Sequence, residues 1–327
     1  MHPVTAFWQW WAAGGEQELT AAVTAGEYGR LPDRISALVA AVHPELEWEL
    51  GPGARAQHAL CVTGAGVAEL RPVAERWLRA APAETPTWEF HAARRPDPDV
   101  LDRTLGLGGR SVPLGDVRVA LDVTGDRVDV ALWHPAAAGL REQERAQVAF
   151  LTLDWTLGED DVERWVGAVA APAEQPADTV PLTSLRAAVA ELAARPDEGS
   201  WALLEGPGPD GTRVLVSVQR PLRWIDRPLL DLHSEVVVPV GDVRSDGLPG
   251  PAGLERLRAL EDDLTAAVGG RAELLAHETR GGVRVLHLYS DGEDQNATDL
   301  VARWAAERGL RVDQRPDPAW RDLRAFS

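Results

Sequence analysis

Five residues near the end of the chain are of the types that build a recognition or acid–base site: Arg284, His287 and Tyr289 in one short segment, and Asp317 and Trp320 in the closing tail. A guanidinium holds carboxylates or phosphates, an imidazole moves protons near neutral pH, and a phenol donates a directed hydrogen bond. A carboxylate orients any of these, and an indole supplies a flat apolar wall. Together the five define a candidate small-ligand site around the last hairpin and tail. His233, His277 and His287 all fall in segments that read as strands, so two of them can meet across a sheet. No i,i+4 pair or fixed ligand set accompanies them, so they read as sheet histidines, and no metal site is assigned.

Other constellations lead elsewhere. Gly206, Gly208 and Gly211 spell a formal G-x-G-x-x-G, but a dinucleotide loop opens a helix, and a strand follows here with prolines between the glycines. No cofactor is expected. Asp291, Glu293 and Asp294 lack the glycine and closing glutamate of a calcium loop and read as helix caps. The clusters Glu261-Asp262-Asp263 and Gly158-Glu159-Asp160-Asp161 read as solvated surface. Cys61, the one cysteine, lies between Leu60 and Val62 and reads as inert packing; it excludes internal disulfides and four-thiolate metal sites. The chain contains no lysine, which removes Schiff-base and phosphate-loop lysine chemistry. No G-x-S-x-G elbow is present.

The elements that must position the candidate residues follow a clear order. Leu232–Val240 is β-branched and reads as a strand. The next helix begins near Pro251, turns Leu254, Leu257, Leu260, Leu264 and Val268 to one face, and ends at Gly269-Gly270. Glu273–Glu278 and Val283–Tyr289 form a hairpin across Arg280-Gly281-Gly282, with His287 and Tyr289 on one face of the second strand and Arg284, Leu286 and Leu288 on the other. A helix over Ala297–Arg308 and a strand over Leu310–Asp313 complete a βαββαβ unit at about residues 232–320. This is the split-βαβ or ferredoxin-like pattern, an α+β fold with antiparallel sheets and helices on one face.

A diverged copy of part of this unit opens the chain. Helix 33–43, strand 45–50, strand 57–63, helix 67–80 and strand 87–92 repeat the order, and Ala74-Glu75-Arg76-Trp77 parallels Val301-Ala302-Arg303-Trp304. Arg95-Pro96-Asp97-Pro98 recurs as Arg315-Pro316-Asp317-Pro318. Ahead of the copy, Phe7-Trp8-Gln9-Trp10-Trp11 reads as aromatic packing on a short helix. Between the copies, 117–123 and 127–133 read as a hairpin, 140–157 as a helix, 162–169 as a strand, 172–181 as a linker and 182–194 as a helix. A hairpin over 201–205 and 212–219 leads into the last unit. The expected domains are 1–110, 111–180 and 181–327.

With 327 residues and a formal charge of −18, the chain suits several globular domains, and it lacks the basic footprint that nucleic acid requires. No apolar run approaches a membrane span and no basic leader opens the sequence, so the cytoplasm is the expected location.

The last third resembles the bacterial family designated domain of unknown function 695. The resemblance rests on Leu257-Arg258-Ala259-Leu260-Glu261-Asp262-Asp263-Leu264, on the hairpin Thr279-Arg280-Gly281-Gly282-Val283-Arg284-Val285-Leu286-His287-Leu288-Tyr289, and on Asp317-Pro318-Ala319-Trp320. That family usually carries an aromatic pair ending in tyrosine on the hairpin; this chain places His287-Leu288 before Tyr289. The resemblance implies the fold and no activity. A more distant likeness in fold is to the small acidic bacterial ribonuclease E inhibitor B type regulators, which act by binding protein. The acidic charge, the duplicated unit and the missing catalytic signatures favour a non-enzymatic protein-binding or regulatory module with a basic protein partner. The alternative is a small-ligand binder or enzyme using Arg284, His287, Tyr289, Asp317 and Trp320.

Overall fold

Apolar spacing and chain-breaking residues account for most elements of the structure, a computed structural model that describes residues 1–107, 109–196, 199–208 and 211–326. The chain divides into two units, residues 1–196 and 197–327. No described helix is long and apolar enough to cross a membrane.

In the first unit, α1 (Pro3–Trp10) starts on a proline, whose missing N–H costs nothing in a first turn. A π-turn over Trp11–Gly15 leads into α2 (Glu16–Ala25), which ends on left-handed Gly26. Then come α3 (Leu31–Val42), β1 (Glu47–Pro52), β2 (His58–Thr63), α4 (Arg71–Arg79) and β3 (Trp88–His91). The sheet order is β1-β2-β3, with β1 antiparallel to β2 and β2 parallel to β3. Phe7, Trp8, Trp11, Ile35, Leu60 and Trp77 are among the side chains of its core.

A second core in the same unit lies under β4 (Thr104–Leu107), β5 (Arg110–Pro113), β6 (Arg118–Thr124), β7 (Arg127–Trp133), α5 (Glu142–Leu157), α6 (Glu159–Trp165), β8 (Val166–Ala170), β9 (Val180–Pro181) and α7 (Thr183–Ala193). Its four-stranded sheet has the order β8-β7-β6-β9, again with one parallel pair, β7 and β8. Three expectations change here. The three- and four-stranded sheets of this unit are mixed rather than antiparallel, and only the β4-β5 pair is antiparallel throughout. The strand expected over 162–169 is α6 up to Trp165, because Gly158 breaks α5 and three acidic residues then favour a new helix start. Helix α7, assigned from sequence to the C-terminal domain, buries Leu185, Val189 and Leu192 in this core instead.

The second unit contains β10 (Ser200–Pro207), β11 (Arg213–Arg220), β12 (Leu232–Pro239), α8 (Pro251–Val268), β13 (Ala272–Arg280), β14 (Val283–Ser290), α9 (Gln295–Glu307) and β15 (Arg311–Pro316). Its six strands pair antiparallel throughout in the order β10-β11-β13-β14-β12-β15. One face buries Val236, Val238, Leu286 and Leu288 with Leu257 and Leu264 of α8 and Val301 and Trp304 of α9. The other buries Val216, Val218 and Tyr289 with Trp320 and Leu323 of the tail, whose last turn is a 3-10 helix over Arg321–Phe326. Asp294 caps α9, its carboxylate accepting from the Asn296 amide at 3.0 Å.

Candidate functional site

The period-two alternation of β14 sends the candidate residues to opposite faces of the sheet. His287 and Tyr289 face the tail. There the Tyr289 hydroxyl donates to Asp317 Oδ2 at 2.6 Å, and its ring lies 5.2 Å from that of Trp320 and 4.8 Å from His233, onto which it stacks. Asp317 also accepts from the amides of Arg321 and Asp322, so it caps the final turn. The Trp320 indole N–H donates to the Leu230 carbonyl at 2.7 Å. Four of the five candidates therefore meet beneath the tail.

A histidine relay joins them. Asp322 Oδ2 lies 2.9 Å from Nδ1 of His233, and Nε2 of His233 lies 3.0 Å from Nδ1 of His287. A carboxylate can only accept, so His233 carries its proton on Nδ1 and accepts at Nε2 from His287. His287 Nε2 is then a bare acceptor, buried without a partner among the described residues. Burial, and then the neighbouring His233, push the His287 imidazole down to about 3. Burial first and the nearby Arg315 second also lower His233. Burial raises the Tyr289 hydroxyl, and the Asp317 carboxylate raises it further. The network thus stays neutral on both imidazoles and on the phenol near pH 7, and it ties β12, β14 and the tail together.

His233, Asp317 and Asp322 each bring one donor atom within 4.8 Å of the others, a separation a metal ion could span. Each is already engaged: both His233 nitrogens and Asp317 Oδ2 hold the hydrogen bonds above, and Asp322 Oδ2 also accepts from Arg315 at 2.9 Å. An ion would have to break this set, so the residues suit a structural network better than a metal.

Arg284 lies on the helix side. Its Nε donates to Thr279 Oγ1 at 2.9 Å and its Nη1 to Glu261 Oε1 at 2.7 Å, while His277 Nδ1 sits 2.9 Å from the same oxygen. Burial works to raise Glu261, but His277 and then Arg284 outweigh it and hold the carboxylate below its usual range. This triad floors a groove of about 480 Å³ lined by Trp201, Leu203, Leu254, Arg258, His277 and Arg284 among others. Strand β10 alternates so that Ala202 and Leu204 pack toward the tail-side core, leaving Trp201 50% and Leu203 68% exposed over the groove. Among the described residues β10 pairs with β11 alone, so it forms one edge of the sheet.

The remaining sequence candidates resolve plainly. Gly206 belongs to β10, Gly208 and Gly211 flank its turn, and strand β11 follows, which leaves no helix start for a pyrophosphate; Pro209 and Asp210 lie outside the described residues. Cys61 is buried, and burial raises its thiol well above the ordinary range. The two acidic clusters are not simply solvated. Besides Glu261, Glu159 accepts from the hydroxyl of Thr63, from the Arg94 amide at 3.0 Å and from the Arg94 guanidinium at 2.8 Å, joining β2 to the start of α6. Sequence reasoning also missed Asp322, Trp201 and Leu203. The alternation of β10 was a visible signal for the last two.

No protein-family profile matches the chain, and no match emerges among curated proteins or solved structures.

Proposed function

We propose that the chain is a non-enzymatic protein-binding module, built on ferredoxin-like units, that receives an extended segment of a protein of net positive charge along β10. The observation that carries this reading is the pair of exposed apolar side chains, Trp201 and Leu203, on an edge strand beside a groove. A sheet edge offers backbone hydrogen bonds to an added strand, and adjacent pockets take its alternate side chains. The formal charge of −18 favours encounter with a basic partner and makes that encounter salt-dependent. The competing ligand site beneath the tail has less support, because Tyr289 is 0% and His287 7% exposed.

The fold part of the proposal draws on topology. The element order β12-α8-β13-β14-α9-β15 with strand order β13-β14-β12-β15 fits a split βαβ unit, to which β10 and β11 add an edge ribbon. In the N-terminal copy nothing corresponds to β12, so β2 and β3 pair directly, whereas β12 separates β14 from β15. Both Arg-Pro-Asp-Pro segments are followed by a 3-10 turn, Val100–Asp102 and Arg321–Phe326, and in each the aspartate side chain of the motif accepts from a backbone amide further on: Asp97 from Asp99 at 2.8 Å, and Asp317 from Arg321 at 2.7 Å. Affinity capture with the tagged full chain, at low and then high salt, tests the function: a stoichiometric basic protein released by salt is expected, and its absence at low salt counts against the reading.

A further inference from the structure

Leu203, Ser217 and His277 form one row across β10, β11 and β13, because each stands directly opposite the next in the ladder. All three line the groove of about 480 Å³. Side chains directly opposite in an antiparallel pair have Cβ atoms about 4.5–5.5 Å apart, so the Ser217 hydroxyl and the His277 ring are neighbours on its floor. The ring is fixed from beneath. Glu261 Oε1 accepts from His277 Nδ1, and Arg284, anchored on Thr279, holds that carboxylate in turn. Thr279 and Arg284 are both buried. With its proton committed to Nδ1, the neutral ring presents Nε2 as an acceptor. Neither Nε2 nor the Ser217 hydroxyl has a hydrogen-bond partner among the described residues.

The floor therefore holds one acceptor and, beside it, one hydroxyl able to donate. A single hydroxyl on a ligand satisfies both, donating to Nε2 and accepting from Ser217. An indole N–H only donates, and an aromatic hydrocarbon does neither. The walls decide what carries the hydroxyl. Leu203, Leu215, Leu254 and Leu274 are apolar, and Trp201 is half-exposed, with His277 its one aromatic neighbour among the described residues at 5.9 Å between centroids. An open indole beside leucines suits another flat ring. Arg284 and Glu261 cancel in charge, and Arg258 on the wall is exposed to screening solvent, so the floor suits a neutral group. The volume is ordinary for a small-molecule site, and the floor lies one and two strands in from the β10 edge.

We propose that this groove binds a small phenol, whose hydroxyl meets His277 Nε2 and Ser217 Oγ and whose ring lies against Trp201 and Leu203. The site goes beyond the strand-receiving edge, and small probes that cannot add a strand to β10 test it apart from that reading. The full chain is titrated with p-cresol, with 4-methylanisole, in which a methyl caps the same hydroxyl, and with a blocked Gly-Tyr-Gly peptide. Calorimetry and the ring-nitrogen resonances of His277 are the readouts. Expected is saturable binding of p-cresol, with 4-methylanisole weaker by about fivefold or more. Ser217→Ala is expected to weaken p-cresol by about three- to tenfold without moving 4-methylanisole. Trp201→Ala, at a half-exposed position, should weaken both alike and leave the thermal midpoint in place. Equal affinity for 4-methylanisole would make the groove merely apolar and overturn the proposal, as would Ser217→Ala without effect on p-cresol. Absence of saturable binding with p-cresol in large excess would also overturn it. Tighter binding of the tyrosine peptide than of p-cresol would make the occupant a protein side chain and overturn the assignment to a small molecule.

Discussion

The Tyr289 hydroxyl and the Asp317 carboxylate meet at 2.6 Å across 28 residues of sequence, and this bond closes the tail over the C-terminal sheet. Because Asp317 also caps the last turn, one side chain fixes both where the tail docks and how it begins.

Tyr289→Phe removes that donor and keeps the ring. A hydrogen bond to a buried charged acceptor contributes about 1.5–3 kcal/mol, and a loss in that range is expected. The measurement is urea unfolding, together with hydrogen exchange of the Leu323 amide; the tail should open more often than the sheet. Unchanged exchange at Leu323 would show that the bond does not hold the tail.

Protonation should release the same region. The folded-state value of His287 lies at about 3, below the 6.5 of an unfolded imidazole, so its contribution is fully present above about pH 6.5 and is lost as pH falls toward 3. His233, Asp317, Asp322 and Arg315 surround the network, and Asp322 and Asp317 soften the cost of a charge there. A loss of up to about 1.4 kcal/mol per pH unit is expected below pH 6.5. Urea midpoints at several pH values, compared with His287→Leu, read it out, and equal acid slopes in the two proteins would assign the sensitivity elsewhere.

Asp154 behaves in the opposite sense. Burial, and then the neighbouring Glu159, push its carboxyl up to about 6. A raised acid value means that the ionised form is a burden, absent below about pH 3.8 and growing as pH rises through 6. Asp154→Asn should therefore stabilise the first unit near pH 7, by about 1 kcal/mol after allowance for partial solvent screening, and leave it unchanged near pH 4. Thermal unfolding at the two pH values is the check.

The order of elements in the second unit was legible because each signal was local: proline near the start of α8, paired glycines after it, Gly281-Gly282 in the hairpin and apolar residues at helical or alternating spacing. Partners distant in sequence were not legible. Nothing local tells that β2 accepts β3 directly, or that Asp322 reaches His233 across 89 residues. Val162 and Trp165 suggested a strand, yet the acidic first turn behind Gly158 decided for α6. Arg284 was grouped with His287 although the two-residue period already set it on the other face. Its true partner, Glu261, comes from a helix that sequence distance hides. The alternation of β10 sets Trp201 and Leu203 on one face, but alternation shows which residues share a face, not whether anything covers it.

The central claim, that β10 and its groove bind a basic protein, is tested most directly by substituting Leu203. Leu203→Asp puts a charge where the side chain is 68% exposed, so the unfolding free energy should stay within about 0.5 kcal/mol of the parent. Val123→Asp, on an exposed site of the first unit, is the matched control. In affinity capture at low salt the parent and Val123→Asp should retain the same stoichiometric basic protein, and Leu203→Asp should lose it. Retention by Leu203→Asp at parental level, or failure of the parent to capture any such protein, would contradict the claim.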